Sequence, residues 1–205
     1  MYASTPGHDA SGRFLPYWYR DGGQISVTEL VDYEDDELGA YYQQTKRQRK
    51  TIVLEPFMYP VGDKNVLMTT IATPIKSNGK FVGVVGVDIR VDELNTQVAH
   101  FNTPTSVSAL FGQTGTVIAH PDAERLGRSM EKTEGDFMGE YLAPAVEAVK
   151  QFKPLAVEFN SSILNDDVMV VYMPVEVGDS GEFWSLARIV PMSEVLADVN
   201  NIVKQ

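Results

Sequence analysis

The sequence predicts an α+β fold made of two tandem modules, each an antiparallel sheet flanked by helices. Three observations support this fold class: the chain repeats itself at an interval of about one hundred residues, turn signals separate consecutive strands, and a helix start follows each group of strands. Consecutive strands joined by short turns pair antiparallel, and helices packed on a sheet cover its apolar face. A length of 205 residues is sufficient for two modules of about 100 residues each.

The internal repeat consists of four pairs of segments that share composition and order between the two halves. They are 12–15 with 115–118, 66–75 with 168–175, 81–85 with 183–187, and 91–94 with 192–195. The nearly constant offset indicates two copies of one structural unit. A proline at the end of Asn102-Thr103-Pro104 marks the boundary, so the modules are predicted as residues 1–102 and 103–205.

Each element of the first half is predicted from its local sequence. Apolar and β-branched residues dominate four runs, and strands are therefore expected near 13–20, 51–59, 65–75 and 81–90. Asn78-Gly79 predicts a hairpin turn between the last two strands, because both residues accept a positive φ. Asp92 and Ser193 are predicted as the N-caps of the helices that close the two modules, the second helix running to Gln205.

The last strand of the first half ends in an aspartate. The run that precedes Asp88 consists of Phe, Val and Gly, which is typical of a strand buried on both faces. A carboxylate in such a place is costly to desolvate unless a partner compensates its charge. Two alternatives follow: Asp88 contacts a ligand, or it caps backbone N–H groups before the helix at Val91.

The overall composition excludes several classes of partner and of chemistry. A net charge of −11 argues against nucleic acid and anionic membrane surfaces as partners. The basic run 46–50 is interpreted as the solvated end of a helix. The chain has no cysteine, and therefore no disulfide or catalytic thiolate. No apolar run is long enough for a membrane span and no signal peptide opens the chain, so we expect a soluble protein or the soluble part of a longer one.

No catalytic residue, metal site or cofactor is predicted. His8, His100 and His120 lack the spacing of metal ligands, and His120 is expected at the end of a strand, before a turn. The acidic run 34–37 lacks the alternating ligands and the glycine of a calcium loop, and is expected to be a solvated loop. Two alternatives to a binding module stay open: a small hydrolase or lyase that uses Asp88 as its base, and a structural domain that binds nothing.

Several ordered motifs resemble the double Cache family. In the first half they are GRFLPYW at 12–18, EPFMY at 55–59 and GKFVGVVGVD at 79–88; in the second half they are GTVIAHP at 115–121 and FWSL at 183–186. The resemblance implies two PAS-like modules, the membrane-distal one holding a small-molecule pocket. It also implies an extracytoplasmic, periplasmic location in a bacterial chemotaxis receptor or sensor histidine kinase, with homodimerisation in the full-length receptor and membrane spans outside this chain.

The resemblance also implies a set of ligand-binding residues. The aspartate that ends the corresponding strand accepts hydrogen bonds from a ligand ammonium, and this role falls on Asp88. Aromatic walls would add cation–π attraction to a bound cation. The candidate wall residues are Trp18, Tyr41, Tyr42, Phe57 and Tyr59. Strand alternation places Trp18 and Arg20 on one face and Tyr17 and Tyr19 on the other, without deciding which face lines a pocket.

Two features depart from the family pattern. The amino-acid-binding subgroup carries a basic residue two positions before an aromatic pair, where this chain has Gly39 before Tyr41 and Tyr42. An amine or quaternary ammonium ligand is therefore favoured over an amino acid or an organic acid, although Arg20 or Lys46 could supply a cation from elsewhere. Only eleven residues precede Gly12, so the long N-terminal helix of the family is expected to be missing.

Overall fold

A computed structural model of the chain describes residues 8, 9, 12–30 and 32–195. The described chain divides into two compact units. Unit 1 contains the residues up to Leu54 together with Met58–Val66 and Thr70–Val87, and unit 2 contains Glu55–Phe57, Leu67–Thr69 and the chain from Asp88 onward.

The described residues of unit 1 form a two-stranded hairpin, one helix and most of a larger sheet. A hairpin of β1 (Pro16–Asp21) and β2 (Gln24–Glu29) precedes helix α1 (Ala40–Gln48). The larger sheet contains β3 (Ile52–Val53), β4 (Phe57–Val61), β5 (Lys64–Ser77) and β6 (Lys80–Arg90). The long strand β5 pairs with each of the other three, so it forms the centre of this sheet.

The predicted strands of the first half are present, but one of them is divided and the strand β2 was not predicted. The run 51–59 forms two strands, β3 and β4, rather than one. Leu54 still donates its N–H to Thr70 of β5, but Pro56 follows it, and proline has no N–H to donate to a sheet. The hairpin turn is confirmed: Asn78 has a φ of 50° and Gly79 a φ of 75° between β5 and β6.

Strand β6 is not buried on both faces, so that expectation was wrong. Val82, Val85 and Val87 are each about 60% exposed. Among the described residues β6 pairs with β5 alone, and it is therefore an edge strand of its sheet. Asp88 follows this half-exposed segment and is itself partly exposed. Its desolvation cost is accordingly smaller than the composition of the strand predicted.

Unit 2 contains a five-stranded antiparallel sheet with strand order β8-β7-β11-β10-β9. Its strands are β7 (Val107–Phe111), β8 (Val117–Ala119), β9 (Leu155–Ser161), β10 (Asp166–Glu176) and β11 (Phe183–Pro191). Its α-helices are α2 (Val91–Ala99), α3 (Met130–Thr133), α4 (Gly135–Met138) and α5 (Leu142–Lys150), with short 3₁₀ turns at Ala123–Arg125 and Gly139–Tyr141.

Helices cover both faces of the unit 2 sheet. On one face Phe111 packs with Met130 and with Val149 of α5, in a cluster of buried apolar side chains. On the other face Leu110 packs with Val98 of α2. Adjacent residues of a strand point to opposite faces, which explains why Leu110 and Phe111 belong to different clusters.

The predictions of Asp92 and Ser193 as helix N-caps were both wrong, because each residue lies inside its helix. Strand β6 runs directly into α2, whose N-cap is Arg90, so Asp92 lies inside the first turn. There Asp92 accepts a hydrogen bond of 2.9 Å from Nε of Arg90, and this bond lowers the pKa of the Asp92 carboxyl. Ser193 lies within the helical residues 192–195 and donates a hydrogen bond of 2.5 Å to Asp166. The rest of the predicted closing helix, 196–205, lies outside the described residues.

The internal repeat is confirmed by matching strand pairs. An antiparallel bridge joins His8 to Phe14, and the ladder of β7 and β8 joins Phe111 to Val117. The two pairs are related by one offset, since 111 − 8 = 117 − 14 = 103. In both copies a long hairpin, β5–β6 or β10–β11, is followed at once by a helix. The predicted α+β class with antiparallel sheets is therefore confirmed.

Candidate functional site

The predicted site begins with the loop that leads into α1. The carboxylate of Asp35 accepts hydrogen bonds from the backbone N–H groups of Glu37, at 2.7 Å, and Leu38, at 2.8 Å. The side chain of Gln43 on α1 donates to the carbonyl of Tyr33 at 2.7 Å, and Arg47 pairs with Asp36 at 3.0 Å. The acidic run is thus an exposed loop held against α1 by local hydrogen bonds and one ion pair.

Gly39 is the N-cap of α1, and its position excludes any larger residue without rearrangement. A Cβ atom at this position would lie 2.3 Å from the backbone oxygen of Asp32 and 2.5 Å from that of Asp35. Backbone atoms cannot move aside as the end of a flexible side chain can. The absence of a basic residue two positions before the aromatic pair therefore follows from how this loop packs.

Tyr42 lies in an aromatic cluster on the surface of unit 1. Its ring is edge-on to Tyr33, at 5.8 Å between centroids, and to Phe81 at the start of β6, also at 5.8 Å. Phe81 was not among the predicted site residues, although its place directly after the hairpin turn was visible in the sequence. Tyr41 is partly buried on α1, and its carbonyl accepts a hydrogen bond of 2.6 Å from Thr45.

Cations of the chain itself cover this aromatic cluster. Nζ of Lys46 lies 5.6 Å from the centroid of the Tyr42 ring. The guanidinium of Arg49 lies 4.8 Å from the centroid of Phe81. Both distances are within the range of cation–π attraction, so the predicted wall residue Tyr42 already has a cationic neighbour.

The β1–β2 hairpin separates two aromatic faces. Tyr17 and Tyr19 stack at 6.1 Å, as strand alternation predicted, and Tyr17 lies edge-on at 6.3 Å to Tyr59. Tyr59 is buried, whereas Trp18 is 60% exposed and contacts Phe14 at 6.3 Å. The structure thus places Tyr17, rather than Trp18, beside Tyr59. Sequence periodicity could separate the two faces but had no means of choosing the inner one.

The remaining two predicted residues belong to unit 2. Phe57 begins β4 and is partly buried, and Asp88 lies near the end of β6 and is partly buried as well. Asp88 precedes the first residue of α2, Val91, by three positions. Through Val98 and Leu94 that helix packs on Leu110 and Ile118 of the unit 2 sheet.

A cluster of polar side chains surrounds Glu134, a buried acid of unit 2. Its carboxylate accepts hydrogen bonds from Arg125 at 2.9 Å and from Thr133 at 2.8 Å, and lies 3.8 Å from Nε2 of His120. Nδ1 of His120 accepts from the N–H of Asp122 at 2.9 Å, and burial lowers the pKa of this histidine. The predicted place of His120, directly after a strand and before a turn, is confirmed. A neutral imidazole held in this way stabilises the loop after β8.

The described residues contain neither a cluster of metal-ligating side chains nor a membrane-spanning helix. No group of three or more His, Cys, Asp or Glu side chains there could hold a metal ion. None of the helices in the same part of the chain has the length and apolar character needed to cross a membrane.

Comparison with known proteins identifies the family. A model of the Cache domain matches residues 7–199. The chain belongs to the Cache domain family. The resemblance found in its motifs and the PAS-like α+β fold are confirmed by this match and by solved structures of sensor domains.

Individual relatives of this Cache domain are sensory proteins. The methyl-accepting chemotaxis protein TlpQ of Pseudomonas aeruginosa is 28% identical over 97% of this chain. The extracellular domain of mmHK1S-Z3, a candidate histidine kinase, is 30% identical, with a TM-score of 0.76 over 98% of this chain and 69% of that one. The ligand-binding domain of the amino acid chemoreceptor PctB of P. aeruginosa was solved in complex with L-Arg and shows the same fold. It is 19% identical to this chain, with a TM-score of 0.57 over 88% of this chain and 72% of that one. The chain spans 29% of the length of TlpQ.

Proposed function

We propose that this Cache domain is the extracytoplasmic sensor of a bacterial transmembrane receptor, either a chemotaxis receptor or a sensor kinase. It would bind a small molecule in the membrane-distal module, residues 1–102, and would have no catalytic activity of its own. The observation that carries the proposal is the family match over residues 7–199, together with the chemoreceptor and histidine kinase domains among its relatives. Homodimerisation would occur in the full-length receptor.

The proposed ligand carries an ammonium group, and Asp88 is its proposed anchor. A partly buried carboxylate forms short, strong hydrogen bonds with such a cation. The packing of Gly39 leaves no room for the basic residue that would hold a ligand carboxylate in the family's amino-acid-binding subgroup. PctB, with the same fold, was solved with L-Arg, a ligand that carries an ammonium group. We therefore place amines before organic acids, and retain Trp18, Tyr41, Tyr42, Phe57 and Tyr59 as the aromatic residues to test.

A signalling route follows from the position of Asp88 in the chain. Asp88 is followed after two residues by α2, and α2 packs on β7 and β8 of unit 2. A ligand that binds Asp88 more tightly in one conformation than in another would shift the population of the two by its differential affinity. The proposed response is a change in the position of α2 on the unit 2 sheet.

The proposal is tested by a ligand screen with a matched pair of variants. Melting temperatures of the chain are measured with polyamines, quaternary amines, amino acids, organic acids and purines, and hits are titrated by calorimetry. A ligand at one hundred times its Kd adds about 2.7 kcal/mol of stability, which is about 5–10 °C for a domain of this size. Asp88→Asn removes the charge while keeping the shape, and Asp21→Asn makes the same change on the exposed β1–β2 hairpin.

We expect an amine to stabilise the wild type and the Asp21→Asn variant. Its affinity for the Asp88→Asn variant should be about tenfold or more lower, because a charge-assisted hydrogen bond is worth about 1.5–3 kcal/mol. Organic acids as the only hits, or equal amine affinity in both variants, would contradict the role of Asp88. Turnover of a bound compound would support the hydrolase alternative instead.

A further inference from the structure

We propose that unit 1 carries a second binding site, which takes a small multivalent anion. The site is a concave surface of about 480 Å³ lined by Lys46, Arg49, Lys76, Gly79, Lys80 and Phe81. We call it the basic pocket. Its volume is within the usual range of small-molecule sites, and every charged side chain that lines it is cationic.

Two separate elements bring these cations together. Lys46 lies in the last turn of α1, and Arg49 is its C-cap in the left-handed conformation, with a φ of 59° and an N–H bond to the carbonyl of Thr45. Lys76 and Lys80 flank the turn of the β5–β6 hairpin, where Asn78 and Gly79 reverse the chain. The pocket therefore depends on the fold of unit 1 and not on one basic run in the sequence.

No carboxylate of the described residues neutralises these four cations. Within the described part of the chain, Lys46, Arg49, Lys76 and Lys80 form no ion pair with a carboxylate, whereas neighbouring Arg47 pairs with Asp36 at 3.0 Å. The dipole of α1 favours a positive charge at Lys46, in its last turn. That dipole does not account for the two lysines of the hairpin. Mutual repulsion of like charges in one concavity has a cost that a bound anion would remove.

Aromatic contacts orient two of the cations without reducing their charge. Arg49 lies over the face of Phe81 at 4.8 Å, and Lys46 lies over Tyr42 at 5.6 Å. Phe81 and Tyr42 in turn contact each other edge to face at 5.8 Å. A guanidinium that stacks on a ring keeps its N–H edge available for a carboxylate or phosphate, which it binds with two parallel hydrogen bonds.

The matching ligand has several negative charges close together, as a polycarboxylate or a phosphate compound does. The chain as a whole has a net charge of −11, so its general field repels anions and cannot produce this preference. The same four cations repel an ammonium group. The basic pocket therefore takes ligands of opposite charge to the amine proposed for Asp88, although Lys46 also lies over Tyr42, one of the aromatic residues retained for the amine site. The separate variants at Asp88 and at the β5–β6 hairpin distinguish the failure of one proposal from the failure of the other.

The test uses two anions and two double variants of the same net charge. Pyrophosphate and citrate are titrated by calorimetry into the chain at low ionic strength. Lys76→Gln/Lys80→Gln removes the hairpin charges from the pocket. Lys64→Gln/Lys132→Gln removes two exposed lysines outside it; Lys64 is at the other end of β5, roughly 40 Å from Lys76 along an extended strand. Circular dichroism checks that both variants remain folded.

We expect at least one of the two anions to bind the wild type and the control variant alike, and to bind the hairpin variant about tenfold or more weakly. Backbone amide shifts of Gly79 and Phe81 should move during the titration. Binding of pyrophosphate alone would identify phosphate compounds as the ligand class, and binding of citrate alone would identify polycarboxylates. The proposal is overturned if neither anion binds, if the control variant is weakened as much, or if the shifts occur elsewhere. Amine binding should be unchanged in the hairpin variant.

Discussion

Gly39 illustrates how a single residue limits what the proposed site can recognise. The backbone oxygens of Asp32 and Asp35 lie so close that any Cβ atom would overlap with them. The loop is held in this position by the Asp35 carboxylate and by Gln43. A basic side chain at position 39 would therefore require the loop and the start of α1 to rearrange. The requirement for glycine here is one of packing, and φ at this residue is an ordinary −89°.

Replacing Gly39 with alanine is expected to destabilise unit 1 by about 1–3 kcal/mol, the range of overpacking with backbone shifts. Gly83→Ala is the matched control, because its Cβ would lie 3.8 Å from the end of Ile75, an ordinary contact. This control should change stability by no more than about 0.5–1 kcal/mol, and in the stabilising direction. Urea unfolding of both variants measures the difference. Equal midpoints would show that the loop before α1 moves aside without cost.

Equivalent strands of the two repeats differ in how deeply their side chains are buried. Val85 of β6 and Ala187 of β11 are separated by 187 − 85 = 102 positions, yet Val85 is 58% exposed and Ala187 is 2% exposed. Strand β11 pairs with β10 on one side and with β7 on the other, whereas β6 pairs with β5 alone among the described strands. The sequence pattern of the two strands is similar, but their place in the sheet is not.

A matched substitution measures this difference between an edge strand and a central strand. Val170→Thr places a hydroxyl in the buried core of unit 2 and should cost about 1–3 kcal/mol. Val85→Thr makes the same change on the exposed face of β6 and should stay within about 0.5 kcal/mol. Thermal unfolding of the two variants checks the prediction. A large loss with Val85→Thr would mean that the exposed face of β6 is covered in solution.

At the scale of the whole molecule, the two units have different proposed roles. Unit 1 has the exposed edge strand, the basic pocket and most of the predicted aromatic residues. Unit 2 has a five-stranded sheet with helices on both faces and a hydrogen-bonded acid, Glu134, at its side. In the proposed sensor, unit 1 supplies most of the aromatic residues to test, and unit 2 contains Asp88 and the helix α2 that would carry the response.

Hydrogen exchange on the chain with and without a bound amine tests this division. A ligand in the distal module should slow exchange in α1 and in the part of the β5–β6 hairpin that belongs to unit 1, because bound ligand suppresses local opening. Residues 155–176 of the unit 2 sheet should change little. Slower exchange confined to those unit 2 strands would place the ligand in the proximal module, contrary to the proposal.

Much of the fold could be predicted from local patterns in the sequence. The hairpin at Asn78-Gly79, the strands around it and the antiparallel α+β class depend on residues close together in the chain. The repeat was visible as a similarity between the two halves of the sequence. Local patterns also placed Tyr17 and Tyr19 on one face. They failed at Asp92, because strand β6 continues into α2 without a loop and moves the helix start two residues earlier.

The sequence by itself determined the family, the repeat and the residue types available for binding. Only the tertiary structure decided which of those residues meet. Tyr59 is buried beside Tyr17, and α1 meets the β5–β6 hairpin at the basic pocket, through contacts between residues distant in the chain. The same long-range packing leaves Trp18 and one face of β6 exposed. Periodicity assigns a side chain to a face of its own strand or helix, but the element that packs on that face is set by the long-range arrangement of the chain.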